Sequence, residues 1–241
     1  MIHDFQTLFR AIFAKNALDH FCDAKTVEMF EHFTELLQEE NARTNLTAIR
    51  DLPSIISKHY ADCLLAASLF PLNATVLDLG CGGGFPTIPL AITRPDLRIT
   101  ALDSTAKKIR FVEKATTALS LTNVKPICSR AEDPSLSPLR ETFDIVTSRA
   151  MARMNVLCEL ALPFVKIRGN MIALKGAQGA EELEEAKQCI RLLGGRTEKD
   201  ISLALQTDSE AESRHFLIVS KEKPSPAQYP RSYAVIAKKP L

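Results

Sequence analysis

Four of the chain's nine glycines fall within the five residues Gly80–Gly84, directly after the apolar run Val76-Leu77-Asp78-Leu79. Glycine is needed where the backbone takes positive φ or a ligand approaches it closely. In an open α/β sheet, such a turn at the carboxyl end of the first strand is where a nucleotide binds. The bland alternative is an ordinary strand-to-helix turn, and the clustering of four glycines argues against it.

The pattern around the loop fits that sheet. Short apolar runs at Val76–Leu79, Ile99–Leu102, Val124–Cys128, Phe143–Thr147 and Met171–Leu174 predict strands. Helical stretches near Ile88–Thr93, Ala106–Ser120, Asn155–Val165 and Glu181–Leu193 separate or follow them. Continuously apolar strands are buried on both faces, as in a parallel sheet covered by helices, and this βαβ rhythm is the doubly wound α/β signature. Phe216–Val219 predicts a further strand, at an edge. Upstream, Phe5, Leu8, Phe9, Ile12 and Phe13, and then Val27, Phe30, Phe33, Leu36 and Leu37, recur at helix spacing. Thr26 is the expected cap of the second helix, Glu39–Asn45 a polar break, and Leu52–Phe70 a third helix ended by Pro71 and Asn73. The tail from Lys221 has a surplus of four basic residues and four prolines, and is expected to be extended.

Which nucleotide the loop takes follows from what it lacks. The dinucleotide fingerprint needs glycine at position 85, where Phe85 stands, and no Gly-Lys-Ser/Thr follows for a phosphate loop. Pro86 and Pro89 open the next helix with few free amide donors, which suits a cofactor without phosphates such as S-adenosyl-L-methionine. Asp78 offers a carboxylate to the cationic sulfonium and amino end of such a cofactor. Asp103, ending the second strand, is placed to accept both ribose hydroxyls, although an acid there can also be a helix cap. Ser129-Arg130-Ala131-Glu132 follows the third strand, where adenine is expected.

For the acceptor, the fourth strand ends Thr147-Ser148-Arg149-Ala150 and the fifth Leu174-Lys175-Gly176. There is no Asn/Asp-Pro-Pro-aromatic motif for exocyclic amines and no cysteine beside proline for C5 of cytosine. Ser148 offers a hydroxyl, and Arg149 and Lys175 offer cations, with no evident general base. That combination suits an acceptor with no proton to lose, such as a ring nitrogen like guanine N7, where catalysis is alignment and electrostatics. A carboxylate, or an RNA phosphate beside the target, would suit the same two cations.

Taken in order, Asn45–Ile49, Lys58–Asp62, Leu77–Pro86, Leu102-Asp103-Ser104 with Lys107-Lys108, Arg130–Glu132, Thr147–Ala150, Leu174–Gly176, Pro230-Arg231 and Ala237–Leu241 resemble the glucose-inhibited division protein B family, bacterial 16S rRNA guanine-N7 methyltransferases. The resemblance implies a mostly parallel, seven-stranded Rossmann-like sheet, with residues 1–70 as a helical extension and 71–241 as the methyltransferase domain. It implies S-adenosyl-L-methionine as cofactor, S-adenosyl-L-homocysteine as product, and contacts from Gly80, Gly82, Gly84, Phe85, Asp103, Ala131, Glu132 and Arg149. Asn45, His59 and Lys175 would lie at the site's entry, and Arg231, Lys238 and Lys239 would meet RNA. The partner would be 16S rRNA in the small subunit or an assembly intermediate, bound by a monomer. The chain departs from the family in having no tryptophan, Thr87 where glycine follows Phe-Pro, and Val235-Ile236 where a glycine-threonine pair stands.

Composition excludes little of this. The formal charge of +1 requires any phosphate contact to come from a local patch. Six cysteines without a C-x-x-C pair predict neither zinc nor a disulfide framework, and suggest a reducing cytoplasm. No apolar run reaches membrane-spanning length, and Met1–Gln6 lacks the features of an export signal. The rivals are a small-molecule or protein methyltransferase on this fold, an inactive RNA-binding relative, and a nicotinamide enzyme, the last disfavoured by Phe85.

Overall fold

The computed structural model describes residues 4–241, so Met1–His3, on which the export-signal reading partly rests, lie outside the described residues. The chain opens with α1 (Phe5–Lys15), α2 (Ala24–Thr44) and α3 (Leu52–Ser54), then a π-helical turn at Ile55–Ala61 and α4 (Asp62–Leu64). The alternating part runs β1 (Thr75–Leu79), α5 (Thr87–Thr93), β2 (Arg98–Asp103), α6 (Ala106–Ala118), β3 (Val124–Cys128), β4 (Phe143–Arg149), α7 (Met154–Ala161) and β5 (Val165–Lys175). It closes with α8 (Gly179–Glu185), α9 (Lys187–Leu192), β6 (Gly195–Gln206), β7 (Ala211–Lys221) and α10 (Tyr233–Lys238).

The seven strands form one sheet in the order β3-β2-β1-β4-β5-β7-β6. β1 to β5 are parallel, and β7 is antiparallel to both β5 and β6. The doubly wound expectation holds. Period-2 alternation sends side chains to two cores. Val76, Ile99, Ala101, Ile145 and Ile172 join α5, α6 and the N-terminal helices, while Leu77, Leu79, Val146, Met171 and Ala173 meet α7 to α9.

The N-terminal helices share the first of these cores. Phe9 and Phe13 stack at 3.8 Å, Phe9 lies 5.1 Å from Phe30, and Phe30 lies 4.8 Å from Tyr60. Phe33 continues the chain of rings to Phe85, in the glycine loop itself, at 5.7 Å. The helical extension therefore buries its apolar stripe directly beneath the loop.

Several local expectations are corrected. Asp23, not Thr26, caps α2: its carboxylate accepts the Thr26 amide at 3.0 Å, so Thr26 supplies the backbone donor. Glu39–Thr44 continue that helix, because Glu39 and Arg43 lie on its solvent side, buried Asn41 is satisfied by the Thr47 backbone, and Asn45, at φ +50°, ends it. The Leu52–Phe70 segment is interrupted by the π turn. Phe216–Val219 belongs to β7, which is interior; the edge is β6, whose polar Arg196–Ser202 carries no apolar run to announce it. The tail is not wholly extended, since the proline-free stretch between Pro230 and Pro240 forms α10, seated by a fully buried Ile236. Lys221 is no tail cation. It is buried, donating to Leu162 O at 2.7 Å and to Ser225 Oγ, with Glu141 3.4 Å away.

Candidate functional site

The glycine loop is tied to β2 before any ligand is considered. The Gly80 and Cys81 amides both donate to Leu102 O, at 2.8 and 3.0 Å, and Gly82 N donates to Asp103 Oδ2 at 3.0 Å. Gly80 sits at φ +75°, and a Cβ there would come within 3.1 Å of the Met151 side chain. At Gly84, φ +88°, a Cβ would meet Ile88 at 2.7 Å, so the loop could not close onto α5 with a larger residue.

Asp78 lies behind the loop. Thr87 donates to its Oδ2 through both amide and hydroxyl, at 3.1 and 2.6 Å, so the first free amide of α5 is already engaged. Oδ1 has no partner among the described residues, and burial pushes the carboxyl up to about 7 against the opposing pull of Thr87 and Arg149. An orphaned buried carboxylate oxygen is rare. It makes this end of the site receptive to a cationic group.

Two cavities open at the carboxyl ends of the strands, the crevice where this class of sheet binds ligands. The first, about 350 Å³, is lined by Gly80, Asp103, Lys108, Arg130, Ala131 and Glu132, with Tyr233 from α10. Asp103 has a double role: its Oδ1 caps the turn at Thr105 N, 2.8 Å away, while the carboxylate lines the cavity. The second, about 510 Å³, is lined by Asp62, Arg149, Lys175, Glu182 and Arg214. The segment Ala150-Met151-Ala152 lines both and is the partition between them. Ala150 holds it in place with a left-handed φ of +54°.

Every charge of the second cavity is matched. Arg149 donates to Lys58 O at 2.8 Å and Asp62 Oδ2 at 3.1 Å, and its guanidinium lies 5.4 Å above the Phe85 ring. Burial opposes its charge, but Asp62 holds it protonated. Arg214 donates to the other Asp62 oxygen at 2.6 Å and to Glu212 at 2.8 Å, and Glu212 also takes Lys58 at 2.7 Å. Lys175 pairs with Glu182 at 2.7 Å and donates to Ala152 O. His59 stacks on Phe85 at 4.3 Å, with Nδ1 3.1 Å from Arg149 and Nε2 2.8 Å from Thr47 Oγ1. Burial, then the Arg149 charge, depress its pKa to about 3. The imidazole is neutral, so Nδ1 accepts from Arg149 and Nε2–H donates to Thr47.

The residues singled out from sequence thus fall into groups. Gly80, Asp103, Ala131 and Glu132 line the first cavity, and Arg149 and Lys175 the second. Gly82, Gly84, Asp78 and Phe85 build the cradle behind that lining. His59 backs Arg149, and Asn45 is exposed beside Leu46, whose Cβ approaches Gly83. Two assignments are corrected. Ser148 is buried and its hydroxyl donates to Leu79 O at 2.8 Å, so it joins two strands and offers nothing to an acceptor. Arg231 grips the fully buried Glu159 at 2.8 and 2.6 Å, which makes it a tail anchor and not the free cation its place in the tail suggests. Lys238 and Lys239 are exposed. Sequence reasoning missed Asp62, Glu182 and Arg214. Asp62 lies in the Lys58–Asp62 segment; Arg214 is flagged only by a charge just before the Phe216–Val219 run, and Glu182 is hidden among four glutamates of α8.

A seven-stranded sheet of this order, with a glycine loop after β1 and an acidic residue closing β2, defines a Rossmann-like methyltransferase fold. Solved structures agree on the fold: M. jannaschii TYW2 in complex with AdoMet aligns with TM-score 0.53 and 17% identity over 64% of this chain and 72% of that one. Precorrin-6y C5,15-methyltransferase from Geobacter metallireducens aligns with TM-score 0.50 and 16% identity over 75% and 92%. Residues 26–210 match the family described as GidB, rRNA small subunit methyltransferase G. The relative from Brevibacillus brevis, a ribosomal RNA small subunit methyltransferase G, is 43% identical over 89% of this chain and 90% of its own length. Its counterpart from Clostridium perfringens is 44% identical over 89% and 90%. The chain belongs to the rRNA small subunit methyltransferase G family.

Proposed function

We propose that this chain transfers the methyl group of S-adenosyl-L-methionine to N7 of a guanine in 16S rRNA, leaving S-adenosyl-L-homocysteine. The observation that carries the choice of atom is the second cavity, where both lining carboxylates are ion-paired, the His59 imidazole behind Arg149 is locked neutral, and His215, opposite Lys175, is bonded to Asp200. Among the described residues lining it, none is left free to remove a proton, and guanine N7 has none to lose.

The residues present fit the cofactor. Asp103 offers acceptor capacity for ribose hydroxyls, Ala131 and Glu132 flank the adenine side, and Asp78, buried behind the loop, keeps one oxygen unpartnered. When bound, the cofactor supplies an electrophilic methyl on a cationic sulfur. An acceptor nitrogen without a proton would take that methyl as a cationic purine, so the chain would need to supply no base. The chain's part is alignment and electrostatics. Gly80 brings the cofactor side of the partition close, Arg149 is fixed by Lys58 O, Asp62, His59 and the Phe85 ring, and Asp62 with Glu182 offsets the cations that would otherwise oppose a cationic product.

The helical extension at 1–70 serves this site by delivering Lys58, His59 and Asp62 to Arg149. The substrate is the folded small-subunit particle or an assembly intermediate, acted on by a monomer in the cytoplasm. The guanine must be unpaired or flipped out, because A-form duplexes hide the N7 edge in a deep groove. Among the described residues no helix is long and apolar enough to cross a membrane, and no cluster of candidate metal ligands is present.

The test maps N7-methylguanine by chemical cleavage in small-subunit rRNA from cells with and without the gene. One guanine should lose its methyl in the deletion and regain it with purified chain and S-adenosyl-L-methionine. Unchanged cleavage, with methyl transfer to a protein or small molecule instead, would overturn the assignment.

A further inference from the structure

We propose that Tyr233, on α10, is a cofactor-binding residue whose ring forms the outer wall of the first cavity against the adenosine half of the cofactor. This rests on reading that cavity as the S-adenosyl-L-methionine site. It concerns a segment beyond the residues 26–210 that match the family.

Tyr233 is the one aromatic side chain lining the first cavity among the described residues. Asp103, Ser129, Ala131 and Glu132 there can address hydroxyls and purine edges, and Leu79, Leu102, Met151 and Leu160 are aliphatic, so no other lining residue offers a flat aromatic face. A purine has such a face on each side, and base–aromatic stacking is a strong interaction that needs no hydrogen-bond pattern. The ring is 41% exposed, so it has surface left for a ligand to cover.

The position of the ring is fixed from three directions. Upstream, Arg140 donates to the carbonyls of Ser225, Pro226 and Tyr229, pinning the approach to the helix. Next to it, Arg231 is clamped on buried Glu159. Downstream, Ile236 is fully buried in the core that also holds Leu79 and Ala131, both at the cavity. Ser232 O accepts the Val235 and Ile236 amides at 2.9 and 3.1 Å, and this short helical turn leaves Tyr233 facing the opening. Arg130 lies 5.8 Å from the ring centre while its Nε donates to Glu132 at 3.1 Å. The guanidinium thereby links the tyrosine to the carboxylate expected beside adenine, and the three side chains form one rim.

The test is isothermal titration of S-adenosyl-L-homocysteine, and separately of adenosine, into wild type, Tyr233→Ala and Tyr233→Phe. Tyr233→Ala should raise Kd about tenfold for both ligands, and Tyr233→Phe should stay within about twofold of wild type. Melting curves without ligand check that each variant folds. The chain has no tryptophan, so Tyr233→Trp supplies a second readout: its single-tryptophan emission should change on saturation with S-adenosyl-L-homocysteine. Wild type that binds no S-adenosyl-L-homocysteine would defeat the cofactor reading itself. Wild type that binds, with Tyr233→Ala unchanged or with a silent tryptophan, overturns the present proposal alone. So does a Tyr233→Ala protein that keeps its cofactor affinity and loses small-subunit RNA, since the ring would then belong to the RNA.

Discussion

Asp78 and His59 carry opposite responses to pH. The Asp78 carboxyl is raised from 3.8 to about 7, so between those values the folded protein holds a proton that the unfolded chain has released, and stability falls as pH rises. His59 is lowered from 6.5 to about 3, so between those values the unfolded chain takes a proton that the folded protein refuses, and stability rises with pH. In the wild type the two slopes oppose each other where the windows overlap, from pH 3.8 to 6.5. Asp78→Asn should therefore give a melting temperature that climbs across that window, and His59→Gln one that falls. Parallel curves for all three proteins would remove both groups from the pH response. Arg149→Lys keeps a cation but loses the planar fork that reaches Asp62, Lys58 O and His59 together. Methyl transfer should drop about 10²-fold, as expected for a small misplacement of an aligning group. The Kd for S-adenosyl-L-homocysteine should hardly move, which titration calorimetry beside single-turnover rates would show.

Among the elements, the strands were legible where they are buried on both faces. β1, β2 and β4 show as short, mainly apolar runs because helices cover them on each side. β6 was not, since an edge strand needs only one apolar face and this one spends Arg196–Asp200 in water. The glycine loop, Asp103, Glu132 and Arg149 could be found by position relative to strand ends. Asp62, Glu182 and Arg214 could not, because a counterion is defined by what it meets in space, and 152 residues separate Asp62 from Arg214. Thr26 was misread for a related reason: a cap is a pairing of one residue's side chain with another's amide. Two element-level outcomes follow. Phe30→Ala removes a fully buried ring from the contact between α1, α2 and the π turn, and should cost about 3–5 kcal/mol in urea unfolding. Arg231→Ala leaves the buried Glu159 without its counterion, a loss of about 3–5 kcal/mol by comparison with other broken buried pairs. Glu159→Gln should cost less, because the amide is content without a cation.

At the scale of the whole molecule, near-neutral charge and a tail with fewer free cations than its composition suggests set how RNA is held. Lys221 is buried and Arg231 is paired, which leaves Lys223, Lys238 and Lys239 exposed. Binding to small-subunit RNA should therefore weaken with salt on a shallow slope, and Lys238→Ala with Lys239→Ala should reduce its magnitude by about 1 to 2 in log–log terms. Filter binding at several salt concentrations measures this, and an unchanged slope would clear the tail of phosphate contact. With so little electrostatic attraction, recognition must lean on the substrate's shape. A short naked oligonucleotide carrying the target loop should be methylated far more slowly than the particle, and equal turnover would count against that dependence.

The row of rings from Phe9 through Phe30 and Tyr60 to Phe85 also makes the amino-terminal helices and the glycine loop parts of one cooperative unit. A ligand that binds only the closed loop adds its binding free energy to that unit. Amide hydrogen exchange should then slow in α1 and α2 when S-adenosyl-L-homocysteine binds, although no residue of either helix lines the cavity. The effect should be weaker in α8 and α9, which pack on the opposite face of the sheet.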